Sequence, residues 1–364
     1  MTTVIKKATA ADILAALPAL IDRDPTGSVV LIAFKGKRSY AGLRLDIPSS
    51  GEKRFAATAL GLFCKIQGAD DVVPVVCTDG PARAQTNLLG VLVRRFQQAG
   101  YRVRDALVLG SDGWLSHYDP DARLNPLAEV EAAASRLGLE PPSEVPGRVP
   151  RADDLACRRM RDALARIRAS VDEGDGLSEW EPLHDLPFFA EGALEWGEAE
   201  IAERGPLLLF ALQGPPARDL VMLLWAFGLE LGDAMWAPDT CAGIEAAKRY
   251  PVAHSLAADL LLGRGGPTDG VHADPVRPDP ARIEAATALL TTLVSLADDA
   301  DRPAPLCMLA WLNWARGRGS TAGAHIDEAL SIAPEYSMGK LLNTLFSSGT
   351  LPEWIFTPPA SSPI

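Results

Sequence analysis

Three charged side chains near the ends of predicted strands could bind or transform an anionic substrate. Arg44 and Asp46 lie two residues apart at the end of one predicted strand, and Asp79 follows the next one. In an open α/β sheet, ligands bind beyond the carboxyl ends of parallel strands, where loops and helix N-termini converge. If Asp46 and Asp79 share that edge, their carboxylates could hold Mg²⁺ or act as acid and base, with Arg44 neutralising the substrate. Asp112 and Trp114, which flank a later turn, complete the candidate ligand-binding residues.

The same residues also have purely structural explanations. Arg44 and Asp46 could form an ion pair on a polar sheet face, worth under about 1 kcal/mol. Asp79 and Asp112 each precede a glycine, and such pairs form ordinary turns. We prefer the structural interpretation at these positions, so the catalytic residues stay unknown.

Complete catalytic or metal-binding motifs are absent from the sequence. The glycine-rich segment 263–266 lies among Pro and Asp rather than between a strand and a helix, so it is no dinucleotide fingerprint. Ser50 and Lys53 spell S-x-x-K, but the partner motifs of that hydrolase class are missing. The five histidines lack metal-ligand spacing, and no two cysteines form a C-x-x-C pair. We predict no cofactor and no metal, and we lean against an enzyme.

The elements that must position the candidate residues form an N-terminal α/β domain, residues 1–139. A capping box at 9–12 opens a first helix, which Pro18 should end or kink. Helical stretches at 52–67 and 82–99 separate runs of β-branched or alternating residues. The predicted strands are 28–34, 40–47, 71–78, 103–109 and 114–116. This order fits an open mixed sheet covered by helices, with one hairpin.

Convincing strands stop near residue 120, and helical periodicity continues from there to the tail. We predict a linker at 140–151, an all-α C-terminal domain at 152–356 and a tail at 357–364. The helix that follows Pro215 and Pro216 is apolar almost all round, so it should lie at the centre of the second core.

Composition excludes several classes of protein. The longest apolar run is about half of the ~20 residues that a membrane span needs, and no secretory signal opens the chain. Five scattered cysteines favour reduced thiols, and hence a soluble protein of the cytoplasm. The net charge is −12, although residues 1–120 hold 15 Lys and Arg against 11 Asp and Glu. Because these basic residues are dispersed, we expect no membrane contact and consider nucleic acid an unlikely partner.

The segment 305–345 resembles a tetratricopeptide repeat. Small residues there would let two antiparallel helices approach closely, and a proline ends the pair. The residues that carry the resemblance are Leu309, Ala310, Gly317, Ala322, Ile326, Ala329, Leu330 and Pro334. A solenoid needs at least about three repeats, so we expect this unit to be part of a larger helical domain.

A second resemblance extends over most of the chain and is specific mainly in the first 120 residues. Its residues are Ala11-Asp12-Ile13-Leu14 with Pro18, Asp24-Pro25, Ser28-Val29-Val30-Leu31, Arg44-Leu45-Asp46-Ile47-Pro48, Gly113-Trp114 with Ser116, and Arg218-Asp219. Together with the repeat-like unit they resemble the domain-of-unknown-function family 4192 of actinobacteria and their viruses. The resemblance implies a bacterial cytoplasmic protein and supplies no catalytic residues. The family often carries a cysteine-containing loop after Ser116, where this chain has 117–120 without cysteine, so the resemblance supports no role for that loop.

Two hypotheses of function remain. The first is a non-catalytic regulatory or scaffolding protein, whose helical half contacts another protein or a second copy of itself; an exposed apolar surface there would favour it. The second is an enzyme or binding domain for a phosphate-bearing small molecule at the sheet edge, which requires Arg44, Asp46 and Asp79 to lie close together.

Overall fold

The computed structural model of this chain describes residues 9–21, 24–36, 38–121, 123–139, 147–173, 181–236, 257–264 and 277–356. The chain divides into two compact units. The first consists of Met1–Pro146 with Phe356–Ile364, and the second of Gly147–Ile355. The first unit is α/β and the second is almost entirely helical, which confirms the predicted fold class.

The second unit begins inside the segment predicted as a linker. Val149 is buried in its core, and the Val149 carbonyl accepts a hydrogen bond of 3.1 Å from Nη2 of Arg302. Burial and pairing of this backbone explain why residues 147–151 belong to the helical unit. The linker residues 140–146 and the predicted tail 357–364 lie outside the described residues.

In the described part of the first unit, one sheet is combined with four α-helices. Its elements are α1 (Ala10–Ile21), β1 (Ser28–Lys35), β2 (Arg38–Asp46), α2 (Glu52–Phe63), β3 (Asp71–Cys77), a 3₁₀ helix (Ala82–Gln85), α3 (Thr86–Gln98), β4 (Arg102–Val103), β5 (Leu107–Gly110), β6 (Gly113–Ser116) and α4 (Ala128–Leu137).

The sheet is mixed, with the strand order β2-β1-β3-β5-β6 and β4 paired to β3. β1 runs antiparallel to both of its neighbours, whereas β5 and β4 run parallel to β3. β6 returns antiparallel to β5. The β-branched residues of β1 and β3 are buried because both strands are interior and both sheet faces are covered.

The helices form one layer on each face of the sheet. Successive side chains of a strand point to opposite faces. Val30 of β1, Val75 of β3 and Leu107 of β5 share a face and pack in one cluster with Leu14 and Leu17 of α1. α4 packs beside α1 on this side. α2 and α3 cover the other face, where their buried residues include Phe63 and Phe96.

Two local predictions can be compared with the structure. Of the two alternatives at Pro18, the helix does not end there but continues to Ile21, because proline removes only one amide donor and buried Leu14 and Leu17 anchor the helix on the sheet; a kink at Pro18 stays a prediction. The predicted strand 103–109 is interrupted between β4 and β5. There Arg104 binds the Asp71 carboxylate at 2.5 Å, and Asp105 Oδ1 accepts from the amide of Ala106 at 2.8 Å.

Besides the helical residues 257–261, the second unit contains ten α-helices within its described residues. They are α5 (Asp154–Glu173), α6 (Glu181–His184), α7 (Leu186–Ala193), α8 (Glu198–Leu212), α9 (Pro215–Phe227), α10 (Leu229–Met235), α11 (Pro280–Leu296), α12 (Pro303–Ala315), α13 (Gly319–Ile332) and α14 (Ser337–Ser347), with 3₁₀ helices at Asp299–Asp301 and Glu353–Ile355.

The core of the second unit is built around α9 and α12. Residues 220–226 of α9 are all buried, and so is every residue of α12. The indole nitrogen of Trp225 donates to the carbonyl of Ala190 at 2.8 Å, and that of Trp311 to the carbonyl of Leu261 at 2.9 Å. These large rings are therefore buried without leaving a polar group unpaired.

Among the described helices, none is by itself long and apolar enough to cross a membrane. α8 and α9 reach the required length and apolar composition only together, and they are bent by 117° at their junction.

Candidate functional site

The carboxyl ends of β2, β3 and β5 lie at the same end of the sheet, and we call this end the sheet edge. β2 and β3 both run antiparallel to β1, and β5 is parallel to β3. Ser28 at the start of β1 lies opposite Asp46 on one side and Cys77 on the other. Two strand spacings separate Asp46 from Cys77, so their Cα atoms are about 10 Å apart. Asp79 follows Cys77 by two residues, so both aspartates lie at this edge.

Arg44 and Asp46 form an ion pair on the sheet face that α1 covers. Nη2 of Arg44 lies 2.8 Å from Oδ1 of Asp46. The arginine side chain is 20% exposed and the aspartate 83% exposed. A Cβ atom on Gly42, which shares their face, would lie 3.1 Å from the side chain of Leu20. The end of α1 therefore packs beside a half-buried cation whose carboxylate partner faces water.

Asp79 lies in a short loop whose backbone is fixed at both ends. The amide of Thr78 donates to the carbonyl of Leu109 at 2.9 Å, and Oγ1 of Thr78 accepts from the amide of Gly80 at 3.1 Å. Asp79 itself is exposed. Its carboxylate is accessible to a ligand, while the loop that carries it is held on the sheet.

Asp112 has a structural role at the same edge. Its Oδ1 accepts a hydrogen bond of 2.8 Å from the amide of Ala82, the first residue of the 3₁₀ helix before α3. The loop after β3 crosses the end of β5 so closely that a Cβ on Gly110 would lie 2.4 Å from the Ala82 nitrogen. Asp112 therefore fixes this crossing.

Trp114 belongs to the core of the first unit. It is 8% exposed and packs in the cluster that contains Cys77 and Leu17. Its backbone is bridged on the other side to Asn125, with both amide–carbonyl distances at 2.9 Å. Its indole nitrogen is buried without a hydrogen-bond partner among the described residues. The ring therefore packs inside the first unit.

Cys77 lies between the candidate residues, and its thiolate form is strongly disfavoured. Burial, followed by the nearby carboxylate of Asp24, raises the pKa of this thiol to about 12, while Arg44 opposes the rise. A thiol with such a pKa is protonated at neutral pH and is a weak attacking group. Asp24 itself accepts from the amide and hydroxyl of Thr26 at 2.8 and 2.7 Å, which closes the turn before β1.

Among the described residues, this edge carries side chains of both charges and no complete catalytic motif. Arg44 and Asp46 compensate each other's charge, and Asp79 adds a further carboxylate. A phosphate could take the place of Asp46 against the guanidinium, and a divalent cation could bridge the exposed carboxylates. Within the part of the chain that the structure describes, no group of three or more His, Cys, Asp or Glu is arranged to hold a metal ion. His254 and His272 lie outside that part.

A buried polar cluster in the second unit joins Arg218 to Tyr336 and Cys307, two residues that no sequence pattern marked. Arg218, in the first turn of α9, is buried; its Nη1 donates to the hydroxyl of Tyr336 at 2.7 Å and its Nε donates to Asp219 at 2.9 Å. Cys307 lies near this guanidinium, and burial raises the pKa of its thiol to about 12 although Arg218 lowers it. The sequence signal was an arginine in an otherwise apolar helix, because a buried guanidinium requires partners.

This chain matches the model of a described protein family. The family model "Domain of unknown function (DUF4192)" matches residues 11–122 and 276–353, slightly more than half of the chain. The first segment covers the sheet and the edge with Arg44, Asp46 and Asp79, and the second covers α11 to α14. No curated protein matches the chain, and no solved structure does.

Proposed function

Because the chain belongs to the DUF4192 family, whose description assigns no activity, we propose from its structure that it is a non-catalytic regulatory or scaffolding protein. It acts through protein–protein contacts of its helical unit, and its partner is a second copy of the chain. The observation that carries this proposal is an apolar side chain in water: Leu341, on α14, is 71% exposed.

α14 lies on the outside of a three-helix arrangement. It packs against α12 and α13, while α12 is buried around its whole circumference. We define the outer face of α14 by its exposed residues, Ser337, Lys340, Leu341, Asn343, Thr344 and Ser347. α12 leaves no surface for a partner, so we place the contact on the outer face of α14, which carries the exposed leucine.

The tetratricopeptide-like interpretation of this segment is part of the proposal. α12 and α13 are joined by a short turn with Gly317 at φ +78°, and they pack along their length. A short connection between two packed helices makes them antiparallel. In stacked repeats the terminal helix is normally polar on its outer side, and Leu341 departs from that rule.

The charge on the outer face supports a second copy as the partner. The chain carries a net charge of −12, which opposes self-association on acidic surfaces. On α14 the one charged residue of the outer face is Lys340, and its Nζ lies 2.5 Å from a carboxylate oxygen of Glu335. Two copies related by a two-fold axis would therefore bring two leucines together without an uncompensated charge.

Light scattering at increasing protein concentration tests this proposal. We expect wild type to approach twice the mass of one chain and Leu341→Asp to remain a monomer, because a carboxylate at a buried contact is costly. Leu155→Asp is the matched control, since Leu155 is also an exposed leucine of the helical unit, on α5. A monomeric wild type, or equal dissociation by both variants, would refute the proposal.

The cytoplasm is the compartment we propose. Cys64, Cys77, Cys157 and Cys307 are free thiols, and three of the four are buried. Free thiols persist in reducing compartments. We also propose an actinobacterial origin, which the resemblance to the DUF4192 family implies.

The sheet edge supports a second candidate function, the binding of a phosphate-bearing small molecule. The observation in its favour is the half-buried Arg44 beside Asp46, with Asp79 at the same edge. We would measure thermal shifts with a panel of nucleotides, with and without Mg²⁺. Stabilisation by a nucleotide with Mg²⁺ that is lost in Asp46→Asn, because a carboxylate that would hold the metal is removed, and is kept in Asp121→Asn, a change at an exposed loop aspartate, would support this function. No shift with any ligand would eliminate it.

A further inference from the structure

The outer side of the layer formed by α2 and α3 is strongly basic. Its exposed basic residues are Lys53, Arg54, Lys65, Arg83, Arg94 and Arg95. Glu52 is the one acidic residue in 52–65 and 82–98, and its carboxylate accepts a hydrogen bond of 2.5 Å from Asn87. We call the surface made by these six residues the basic face.

α2 and α3 lie side by side on one face of the sheet, so their exposed side chains are on the side of the layer that faces away from the sheet. Glu52 contacts Asn87 where both helices begin, and the rings of Phe63 and Phe96 pack edge to face at 5.1 Å where both end. α2 and α3 are therefore parallel and side by side on one face of the sheet. A helix of 12 residues is about 18 Å long, so basic side chains occur at both ends of an ~18 Å surface.

The opposite layer has the opposite charge. α1 and α4 carry Asp12, Glu129 and Glu131 against Arg136, and Arg136 is paired with the buried Asp12. In a chain of net charge −12, a face with six cations and one carboxylate is a local feature that attracts polyanions.

We propose that the basic face binds the phosphate backbone of nucleic acid. The exposed large apolar residues described in the first unit are Leu20, on α1, and Tyr118, whose hydroxyl accepts a hydrogen bond from Gln97 at the border of this face. Lys65 lies over the ring of Phe356 at another border. Membrane insertion and protein hot spots need clusters of apolar or aromatic anchors, whereas here single rings lie beside a surface of cations.

The face also carries side-chain amides of the kind that contact phosphate and sugar, at Asn87, Gln97 and Gln98. Asn87 and Gln97 each use one N–H within the protein, on Glu52 and Tyr118, and each amide nitrogen carries a second N–H.

The size of the face fits several phosphates. Each strand of a duplex carries one phosphate per about 3.4 Å of helix axis, so ~18 Å covers about five of them. The sequence alone favours no nucleic-acid partner because these six residues are spread from position 53 to position 95. Folding gathers them on one surface. This inference is independent of the α14 contact and of the sheet-edge ligand.

Fluorescence anisotropy with a labelled DNA duplex of about 20 base pairs and mixed sequence tests the proposal on the full chain. With about six phosphate contacts, the binding constant should fall about a thousandfold between 50 and 200 mM salt. The double variant Arg94→Gln with Arg95→Gln removes two contacts, so that fall should shrink to about a hundredfold. Lys53→Gln with Arg54→Gln, at the other end of the face, should reduce the fall in the binding constant to the same extent.

The matched control is Arg158→Gln with Arg159→Gln. This pair is also adjacent and exposed on a helix, and the change removes the same charge from α5. Retention of the wild-type salt dependence in the control, together with a smaller salt dependence in the two face variants, would support the proposal. Equal weakening by all three variants, no binding to the duplex, or binding to phosphatidylserine vesicles but not to DNA would overturn it.

Discussion

Nη1 of Arg218 donates a 2.7 Å hydrogen bond to the hydroxyl of Tyr336, and so joins the first turn of α9 to the turn that precedes α14. Tyr336→Phe keeps the ring but removes the acceptor, which leaves a buried cation short of one partner. We expect the free energy of unfolding to fall by about 1–3 kcal/mol, measured by urea denaturation. Tyr118→Phe is the control, because that hydroxyl pairs with Gln97 at an exposed site; its effect should stay within about 0.5 kcal/mol. Equal effects would mean that the buried cluster does not stabilise the unit.

The crossing of the β3 loop over β5 depends on Gly110. A methyl group there would lie 2.4 Å from the nitrogen of Ala82 and 2.8 Å from the carbonyl oxygen of Gly80. Since both neighbours are backbone, we expect Gly110→Ala to cost about 1–3 kcal/mol. Gly61→Ala should instead stabilise by about 0.5–1 kcal/mol, because it adds a methyl in open space to the interior of α2. Thermal unfolding measures the change in stability of both variants. A Gly110→Ala variant as stable as wild type would contradict the close contact between the β3 loop and β5.

The stability of the second unit should decrease at low pH partly through Asp298. Hydrogen bonding to Arg161 lowers the pKa of Asp298, burial opposes this effect, and the charges of Arg161 and Arg151 lower the pKa further. A carboxyl whose pKa is depressed by folding stabilises the protein above its unfolded pKa, and that stabilisation is lost as pH falls through the folded pKa. Denaturation from pH 7 to pH 2 should therefore show a smaller loss in Asp298→Asn than in wild type. Identical pH profiles would contradict this role of the ion pair.

The cysteines should differ sharply in reactivity. Cys64 is exposed, whereas burial raises the pKa values of Cys77 and Cys307 to about 12. At pH 8 such a thiol is about one part in ten thousand thiolate. We expect iodoacetamide followed by peptide mass spectrometry to label Cys64 first, and Cys77 and Cys307 only after denaturation. Labelling of native Cys77 at the rate of Cys64 would mean that the sheet is not packed as described.

Sequence patterns were sufficient to predict the strands and helices whose buried residues recur at a regular spacing. The β-branched runs of β1 and β3 predict interior strands, and the all-round apolar α9 predicts a central helix. The interruption at Arg104 was not predictable, because it depends on the contact with Asp71, which is 33 residues away in sequence.

The candidate site could be predicted only in part. The rule on parallel strand ends suggests an edge with Asp46 and Asp79, because it needs only strand order and direction. The bond of Asp112 to Ala82 could not be foreseen, since it joins residues 30 apart. Trp114 was singled out by its position beside a turn, whereas its neighbours in space place it in the core. The basic face is a similar case: its six residues are close together only after α2 and α3 pack side by side.

The most direct test of self-association through α14 is amide hydrogen exchange of the wild-type chain at low and high protein concentration. Binding protects the surface that it covers, so the amides of α14 should exchange more slowly at high concentration. The amides of α5, which carries the exposed Leu155 away from the proposed contact, should exchange equally at both concentrations. Exchange in α14 that is the same at every concentration would contradict the central proposal.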